Sequence, residues 1–425
     1  MAFEHSITHC FNERIAAGPG CDRLDALTAS LDPALARLTA RANASATPIL
    51  DMALRHDDLA EIEALAGDIR ARFSHVVVAG AGGSGLSGRT LVSSGPVSLS
   101  PRLHFLETID PHALDDIVAQ LPLKDTAFLF ISKSGSTVET LGQFYVFSSL
   151  LKTQLGAAAL AKHCFVITMQ TASPLRESAE EAGMRLIAFD AHIGGRFSVF
   201  TAVGLLPAAI AGMDIRALRA GAGSIVRQLE SAKHAADFAP AVGAALQYAF
   251  IERGRNISVM LPYSERLAGF SGWYRQSWAE SLGKNGKGST PIRAVGTTDQ
   301  HSQLQLYLDG PKDKLFHLIT LNRRGTGHRI DAPGRDDVRY IAGKTTGDIM
   351  AAEQKATLET LVKNGCPVRQ FTLGVLDAHT LGALLMHFTL EIICMAELLG
   401  LNAFDQPAVE EGKMLAREYL LTGNL

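Results

Sequence analysis

The chain has 425 residues, of which 47% are hydrophobic and 20% are charged, and its formal net charge is -3. This length favours two domains with a sizeable core, and the composition is ordinary for a soluble globular protein. The slight acidic excess argues against a nucleic-acid-binding protein, which usually carries an excess of basic residues.

The cysteine and N-terminal patterns indicate a cytoplasmic protein. The 5 cysteines are scattered without C-x-x-C spacing, which favours reduced thiols and offers no metal-binding motif. The N-terminus carries Glu4, Glu13 and Arg14 and has no apolar core, so no signal peptide is predicted. The longest apolar stretch, Val199 to Met213, is too short to span a bilayer and contains Pro207. We therefore expect no membrane partner.

Residues 1–70 are predicted to be helical. Apolar residues recur there at the three- and four-residue spacing of amphipathic helices, in the stretches 22–42 and 58–73. The favoured interpretation is that these helices pack against the core and carry no catalytic residue.

Two α/β units are predicted after these helices. Short apolar runs alternate with helical segments, which is typical of βαβ units and of parallel sheets covered by helices. We assign the first unit to residues 71–235, the second to 236–400 and a final helical segment to 401–425. Residues 381–401 are predicted to form a long, deeply buried apolar helix. The predicted strands are 75–80, 102–108, 127–130, 164–170, 185–190, 256–262, 314–322 and 368–375.

A glycine-rich loop, Gly80 to Gly85, follows the first predicted strand and matches the G-x-G-x-x-G pattern. One interpretation is a dinucleotide-binding loop, with Glu107 or Asp110 as the acid for the ribose, although both lie late for the usual spacing. The interpretation that we favour is that Gly83 lets the backbone approach a ligand and that Ser84 donates its hydroxyl. Open α/β sheets bind ligands at the carboxyl ends of their strands, where this loop lies.

The stretch Ile131 to Thr140, ISKSGSTVET, joins a predicted strand to a predicted helix. Its hydroxyls and the free N–H groups of the first helical turn point at one spot, which the helix dipole makes attractive to an anion. Lys133 adds a positive charge to this candidate phosphate site. The alternative is a solvated turn with a helix N-cap, because serine and threonine are favoured there in any case.

An arginine and a glutamate occupy unusual settings. Arg196 follows Gly194 and Gly195 at the entrance of an apolar helix, where it offers planar donors to a developing oxyanion. Its alternative role is to cap that helix or to pair with a structural carboxylate. Glu280, in the apolar, glycine-flanked block WAESLGK, is a candidate general base. Its alternative role is that of one acid on an amphipathic helix.

Two further blocks hold candidate proton-transfer or binding residues. His301 lies in the polar cluster GTTDQHSQ, and histidine gives and takes protons near neutral pH. With 14 histidines in the chain, an arbitrary one is more often structural. Gln406 and Lys413 lie in FDQPAVEEGK, although a lysine on a terminal helix is usually solvated.

Taken together, these blocks resemble the glucose-6-phosphate isomerase (phosphoglucose isomerase) family. The resemblance rests on AGAGGSGLSG, SKSGSTVET, GGRFSVFTAVGLLP, ESLGK, GTTDQHSQ and FDQPAVEEGK, which occur in this order between about residues 79 and 413. It implies two flavodoxin-like sugar-isomerase (SIS) domains, each a mainly parallel sheet sandwiched by helices. It also implies reversible isomerisation of glucose 6-phosphate and fructose 6-phosphate through an enediolate, in glycolysis and gluconeogenesis, without cofactor or metal.

The resemblance also implies a role for each candidate residue. Glu280 moves the proton between C2 and C1, and Arg196 stabilises the enediolate. His301 assists ring opening, while Lys413 and Gln406 lie near the ring oxygen or O1. The sugar phosphate contacts a set of small and polar loop residues, namely Gly83, Ser84, Ser132, Lys133, Ser134, Thr137 and Thr140.

In this family the histidine reaches the active site from the neighbouring subunit. The resemblance therefore implies a homodimer that shares His301 across its interface, with Glu139 orienting His301 of the partner subunit. The sequence departs from the family at Leu282, where the family block has asparagine, and this replacement removes a potential hydrogen bond. The chain is also shorter than many members, which leaves fewer residues for peripheral arms that embrace the partner.

Three alternative functions remain open at this point. A non-catalytic sugar-phosphate sensor would keep residues 132–140 but has no need of Glu280, Arg196 and His301 together. A nicotinamide-dependent dehydrogenase would explain the G-x-G-x-x-G match. An isomerase that also accepts mannose 6-phosphate is compatible with the same residues, since epimers at C2 share one enediol.

Overall fold

The computed structural model of the protein describes residues 2–11, 15, 18–43, 47–96, 100–331, 334 and 336–424. The strands, named β1 to β10 in chain order, are Glu4–Ser6, His75–Ala79, Arg102–Leu106, Thr126–Ile131, Cys164–Thr168, Arg185–Ala188, Ile257–Pro262, Thr290–Arg293, Lys314–Leu321 and Val368–Leu373. The helices, α1 to α17, are Cys21–Ala29, Asp32–Asn43, Pro48–Leu54, Leu59–Arg72, Gly83–Ser94, Pro111–Gln120, Val138–Leu155, Ala159–His163, Pro174–Glu181, Ala202–Ile210, Ile215–Ser231, Ala239–Ile251, Ala268–Leu282, Leu304–Asp309, Thr346–Lys363, Ala378–Leu399 and Glu410–Thr422.

The first sheet is fully parallel and has the strand order β3-β2-β4-β5-β6. At its centre, Ala79 of β2 is paired with Leu106 of β3 on one side and with Phe130 of β4 on the other. Because parallel strands end at the same edge of a sheet, the loops that follow β2 and β4 are neighbours. The predicted parallel α/β architecture is confirmed.

The second sheet has the order β1-β10-β9-β7-β8 and is parallel except for β1, which runs antiparallel to β10. Two of its strands were not predicted, β1 and β8. The expectation that residues 1–70 are wholly helical is therefore wrong at Glu4–Ser6. Such a short edge strand shows too little alternation to be recognised, and its pairing depends on β10 at the far end of the chain.

The eight predicted strands are all present. Helices α1, α2 and α4 occupy the predicted N-terminal helical stretches. The long apolar helix is α16. The helix is long and apolar enough to cross a membrane, but 89% of its most apolar 18-residue stretch is buried inside the protein. It is a core helix, as predicted.

Helices α11 and α16 approach each other at backbone distance. A Cβ atom built at Gly382 would lie 1.9 Å from the carbonyl oxygen of Leu218, and one built at Gly221 would lie 1.9 Å from the carbonyl oxygen of His379. Both glycines are therefore required by the packing, because interiors are too dense to absorb an added methyl without backbone movement.

A buried polar network attaches β1 to the second sheet. Arg369 of β10 and Glu391 of α16 are wholly buried and form an ion pair. Arg369 Nε donates to His5 Nε2 at 2.6 Å, and Arg369 Nη2 lies 3.0 Å from His387 Nε2. Burial, followed by the charge of Arg369, lowers the pKa of His5 to about 2. His5 can accept this hydrogen bond only as neutral imidazole.

Gly382→Ala should lower the free energy of unfolding by about 1–3 kcal/mol, because the added methyl overlaps the Leu218 carbonyl. Urea denaturation followed by circular dichroism measures this change. The matched control is Gly67→Ala, at an exposed glycine of α4 with nothing within 4 Å of the added Cβ. The control should be neutral or slightly stabilising. Equal stability of the two variants would contradict the packing argument.

His5→Gln should make stability less sensitive to acid. The pKa of His5 is lowered in the folded state, so below about pH 6.5 the unfolded chain binds a proton that the folded chain excludes. The free energy of unfolding therefore decreases as the pH is lowered. Glutamine offers Arg369 an acceptor that does not titrate. Between pH 7 and 5 the free energy of unfolding of the wild type should therefore fall by about 2 kcal/mol more than that of His5→Gln, measured by urea denaturation. The exposed-site control His112→Gln should follow the wild type, and an unchanged pH dependence in His5→Gln would refute this role.

Candidate active site

The loop between β4 and α7 forms a compact turn lined with hydroxyl groups. The Ser132 and Thr137 hydroxyl oxygens lie 3.0 Å apart, and the Gly135 N–H donates to Ser132 Oγ at 3.1 Å. Gly135 has a φ of 64°, and a Cβ there would lie 2.1 Å from Ser173 Oγ. Only glycine permits this turn, which places the hydroxyls beside the N-terminus of α7.

The two remaining hydroxyls of the candidate phosphate site differ in exposure. Ser134 is exposed, whereas Thr140 in the first turn of α7 is 0% exposed. Thr140 Oγ1 has no hydrogen-bond partner among the described residues. A buried hydroxyl without a partner is costly, but the enclosed position of Thr140 means that a ligand would meet it only after a rearrangement of this turn.

The glycine-rich loop packs against the main chain of Arg196. A Cβ built at Gly83 would lie 2.3 Å from the carbonyl carbon and oxygen of Gly195 and 2.7 Å from the Arg196 nitrogen. Ser84, the next residue, is nearly buried. The first turn of α5 and the main chain at Gly195 and Arg196 are therefore in direct contact.

Arg196 lies in the 3-10 helix Gly195–Phe200 and is only 3% exposed. Its Nε donates to Ser281 Oγ at 2.7 Å, its Nη1 to Gln406 Oε1 at 2.7 Å, and its Nη2 to the Ala403 carbonyl at 2.6 Å. Burial lowers the pKa of Arg196, which the charges of Glu280 and Asp405 oppose. The guanidinium nevertheless stays protonated, because its ordinary pKa is so high.

Glu280 lies near the C-terminus of α13 and faces the arginine. Its Oε2 is 3.6 Å from Arg196 Nη1, and its Oε1 accepts from Gln276 Nε2 at 2.8 Å. The Glu280 side chain is 32% exposed, so it remains accessible from outside the protein. A fixed carboxylate beside a buried cation can take a proton from a ligand and stabilise the resulting anion.

Several residues of this region were not predicted from the sequence. Gln276 lies one helical turn before Glu280, and that spacing, which places both on one face of α13, could have identified it. Lys284 Nζ lies 2.6 Å from Asp405 Oδ1 and also donates to the Asn402 carbonyl, which fixes the loop that carries Gln406. The pairing of Lys284 has no local sequence signal, because its partners are distant in the chain.

Leu282, the departure from the family block, is 0% exposed and belongs to the main hydrophobic core. The leucine side chain therefore packs where the family asparagine would have had to find polar partners.

His301, Lys413 and Glu139 are predicted residues that the single chain does not join to Arg196 or Glu280 by a described hydrogen bond or ion pair. His301 is exposed on the 3-10 helix Thr298–His301. Lys413 is exposed on α17, where its Nζ pairs with Glu410 Oε1 at 2.7 Å. Within the described part of the chain, no hydrogen bond or ion pair joins any of the three to Arg196 or Glu280.

The acids considered for a dinucleotide ribose have other partners. Glu107 Oε1 lies 3.2 Å from Arg89 Nε, and its side chain packs where a Cβ of Gly85 would be. Burial raises the pKa of Glu107, and the charge of Arg89 opposes that shift. Asp110 caps α6 by accepting from the Ala113 N–H at 3.1 Å.

Comparison with known proteins identifies the family. The family described as "Phosphoglucose isomerase" matches residues 60–422. The chain belongs to the phosphoglucose isomerase family. It is 40% identical to a glucose-6-phosphate isomerase of Rubrobacter xylanophilus, over 74% of this chain and 73% of the relative. It is 36% identical to a glucose-6-phosphate isomerase of Carboxydothermus hydrogenoformans, over 85% and 82% of the two chains.

Solved structures of similar proteins support the fold. A hypothetical protein from Thermus thermophilus is 30% identical, with a TM-score of 0.88 over 98% of this chain and 99% of that one. A glucose-6-phosphate isomerase from Chlamydia trachomatis is 21% identical, with a TM-score of 0.79 over 98% and 92% of the two chains. The latter similarity concerns the fold alone. Both match the two-sheet α/β architecture expected of a phosphoglucose isomerase.

Proposed function

We propose that this protein catalyses the reversible isomerisation of glucose 6-phosphate and fructose 6-phosphate through an enediolate. The observation that carries the proposal is the accessible Glu280 carboxylate 3.6 Å from the buried Arg196 guanidinium. Membership of the phosphoglucose isomerase family and the names of the relatives support it.

The phosphate end of the substrate would bind at the loop before α7. The Ser132 and Thr137 hydroxyls and the N–H groups at the helix N-terminus form an anion site of the required kind. The residues that we assign to substrate binding are Gly83, Ser84, Ser132, Ser134, Thr137, Thr140 and Gln406. Lys133, which was predicted with them, donates to the Ile193 carbonyl instead. Binding at this unreactive end supplies energy that positions the sugar carbons.

Glu280 would act as the base that moves the proton between C2 and C1. The enediolate oxygen would then take donors from Arg196, whose neighbouring hydrogen bonds hold it in place before the substrate arrives. Because the reaction moves one proton between adjacent carbons, it requires no redox cofactor.

A homodimer would complete the site. We propose that His301 enters the active site of the partner subunit to assist ring opening, and that Glu139 orients the partner's His301. Lys413 would lie near the ring oxygen or O1. Helix α17 carries several exposed apolar side chains, including Met414, which is 65% exposed, and Leu421, which is 78% exposed. Such a patch supports an interface close to Lys413.

We also propose a cytoplasmic location. The support is that all five cysteines lie in the described part of the chain and are free thiols there, as is usual in reducing compartments.

Glu280→Gln should lower kcat by about 10²–10⁴-fold while fructose 6-phosphate still binds, since glutamine keeps the shape and loses the base. Sugar interconversion by the pure protein without added cofactor measures kcat, and calorimetry measures binding. The control Glu359→Gln, at an exposed acid of α15, should retain wild-type activity. An active Glu280→Gln variant would refute the assignment of the base, and an inactive wild type would refute the proposed function.

Mixing two inactive variants tests the shared histidine. Glu280→Gln and His301→Ala should each be strongly impaired alone. If His301 crosses the interface, every mixed dimer has one intact site. Co-expression should therefore restore about a quarter of wild-type activity, since about half of the dimers are mixed. The absence of restored activity in a confirmed mixed dimer would show that His301 serves its own subunit.

A further inference from the structure

The side chain of Lys133 contacts the segment that follows β6. Its Nζ donates to the main-chain carbonyl of Ile193 at 2.9 Å and lies 6.0 Å from the centre of the Phe189 ring. Ile193 and Phe189 are 2% and 3% exposed, so the lysine tip contacts the protein interior. Burial lowers the pKa of Lys133, Asp190 opposes that shift and Arg196 adds to it.

The segment that Lys133 holds leads directly into Arg196. Residues 189–194 connect β6 to the 3-10 helix that begins at Gly195. The main chain at Gly195 is in contact with Gly83, where a Cβ would lie 2.3 Å from the Gly195 carbonyl. Trp273 Nε1 donates to the Arg196 carbonyl at 3.1 Å. The main chain at Gly195 and Arg196 is thus held by contacts with Gly83 and Trp273. Lys133 adds a contact at Ile193 from the loop between β4 and α7, here called the phosphate loop.

We propose that Lys133 is a positioning residue, whose ammonium sets the place of Arg196 relative to the phosphate loop. This inference rests on the proposed function, in which one end of the substrate is bound by that loop and the other meets Arg196. The substrate spans a fixed length, so the two groups must keep a fixed separation. A misplacement of about 1 Å can cost about 10²-fold in rate.

This role differs in its kinetics from direct binding of the phosphate. A lysine that bound the phosphate through its ammonium would contribute to affinity, and its loss would raise the Kd for phosphate. A lysine that positions Arg196 instead supports a guanidinium that acts when negative charge develops on the enediolate oxygen. Its loss therefore lowers kcat.

Lys133→Met tests the distinction, because methionine keeps an apolar stem against Phe189 and removes the donor. We expect kcat for fructose 6-phosphate to fall by about 10–100-fold. We expect the Kd for inorganic phosphate, measured by calorimetry, to change by less than about threefold. If this variant does not fold, Lys133→Gln carries the same expectation.

Two control variants separate positioning from general damage. Lys133→Arg keeps both a donor and the charge and should recover kcat to within about threefold of wild type. Lys152→Met removes an exposed lysine of α7, the helix that follows the loop of Lys133, and should have wild-type kinetics. The double variant Lys133→Met, Arg196→Lys should have a kcat less than about threefold below that of Arg196→Lys alone. The reason is that the guanidinium positioned by Lys133 is already absent.

If Lys133→Met raised the Kd for phosphate by about tenfold and kept the wild-type kcat, the inference would be overturned and Lys133 would be a direct phosphate ligand. An unchanged kcat in Lys133→Met, or full additivity with Arg196→Lys, would also overturn it. In either case an active wild type leaves the proposed isomerase function standing. An inactive wild type would remove the proposed function, and this inference with it.

Discussion

The buried guanidinium of Arg196 is the constraint on which the rest of the site depends. A charge at 3% exposure is tolerated only when its donors are satisfied. The acceptors come from two other parts of the chain, namely Ser281 in α13 and the loop containing Ala403 and Gln406. Folding around this cation therefore brings together the first sheet, the helix that carries Glu280 and the C-terminal loop, and the same contacts fix the donors that the proposed chemistry needs.

A second buried arginine shows what distinguishes a purely structural site from the proposed active site. Arg369 and Glu391 are both wholly buried and are surrounded by His5 and His387, so their pairing attaches β1 to its sheet. Arg196 differs because its carboxylate partner, Glu280, keeps 32% of its side chain exposed. A ligand can therefore reach one pair and not the other, although both contain the same two groups.

Local sequence patterns predicted most of the fold. The β-branched run at His75–Ala79 and the apolar run at Lys314–Leu321 were recognisable because strands buried on both faces are continuously apolar. The strands Glu4–Ser6 and Thr290–Arg293 were missed, since each is short and takes its identity from a neighbour distant in sequence. Motif order likewise indicated Arg196, Glu280 and Gln406, which the structure places in one cluster.

The sequence by itself determined the α/β class, the hydroxyl-rich loop before α7 and the identity of the charged residues, because these depend on local spacing and residue type. Only the tertiary structure decided which of those residues meet. It joined Arg196 to Glu280, Gln406 and Ser281, and it directed the Lys133 ammonium to the Ile193 carbonyl. Such contacts depend on how strands and helices pack, and packing brings together side chains whose separation along the chain carries no local signal.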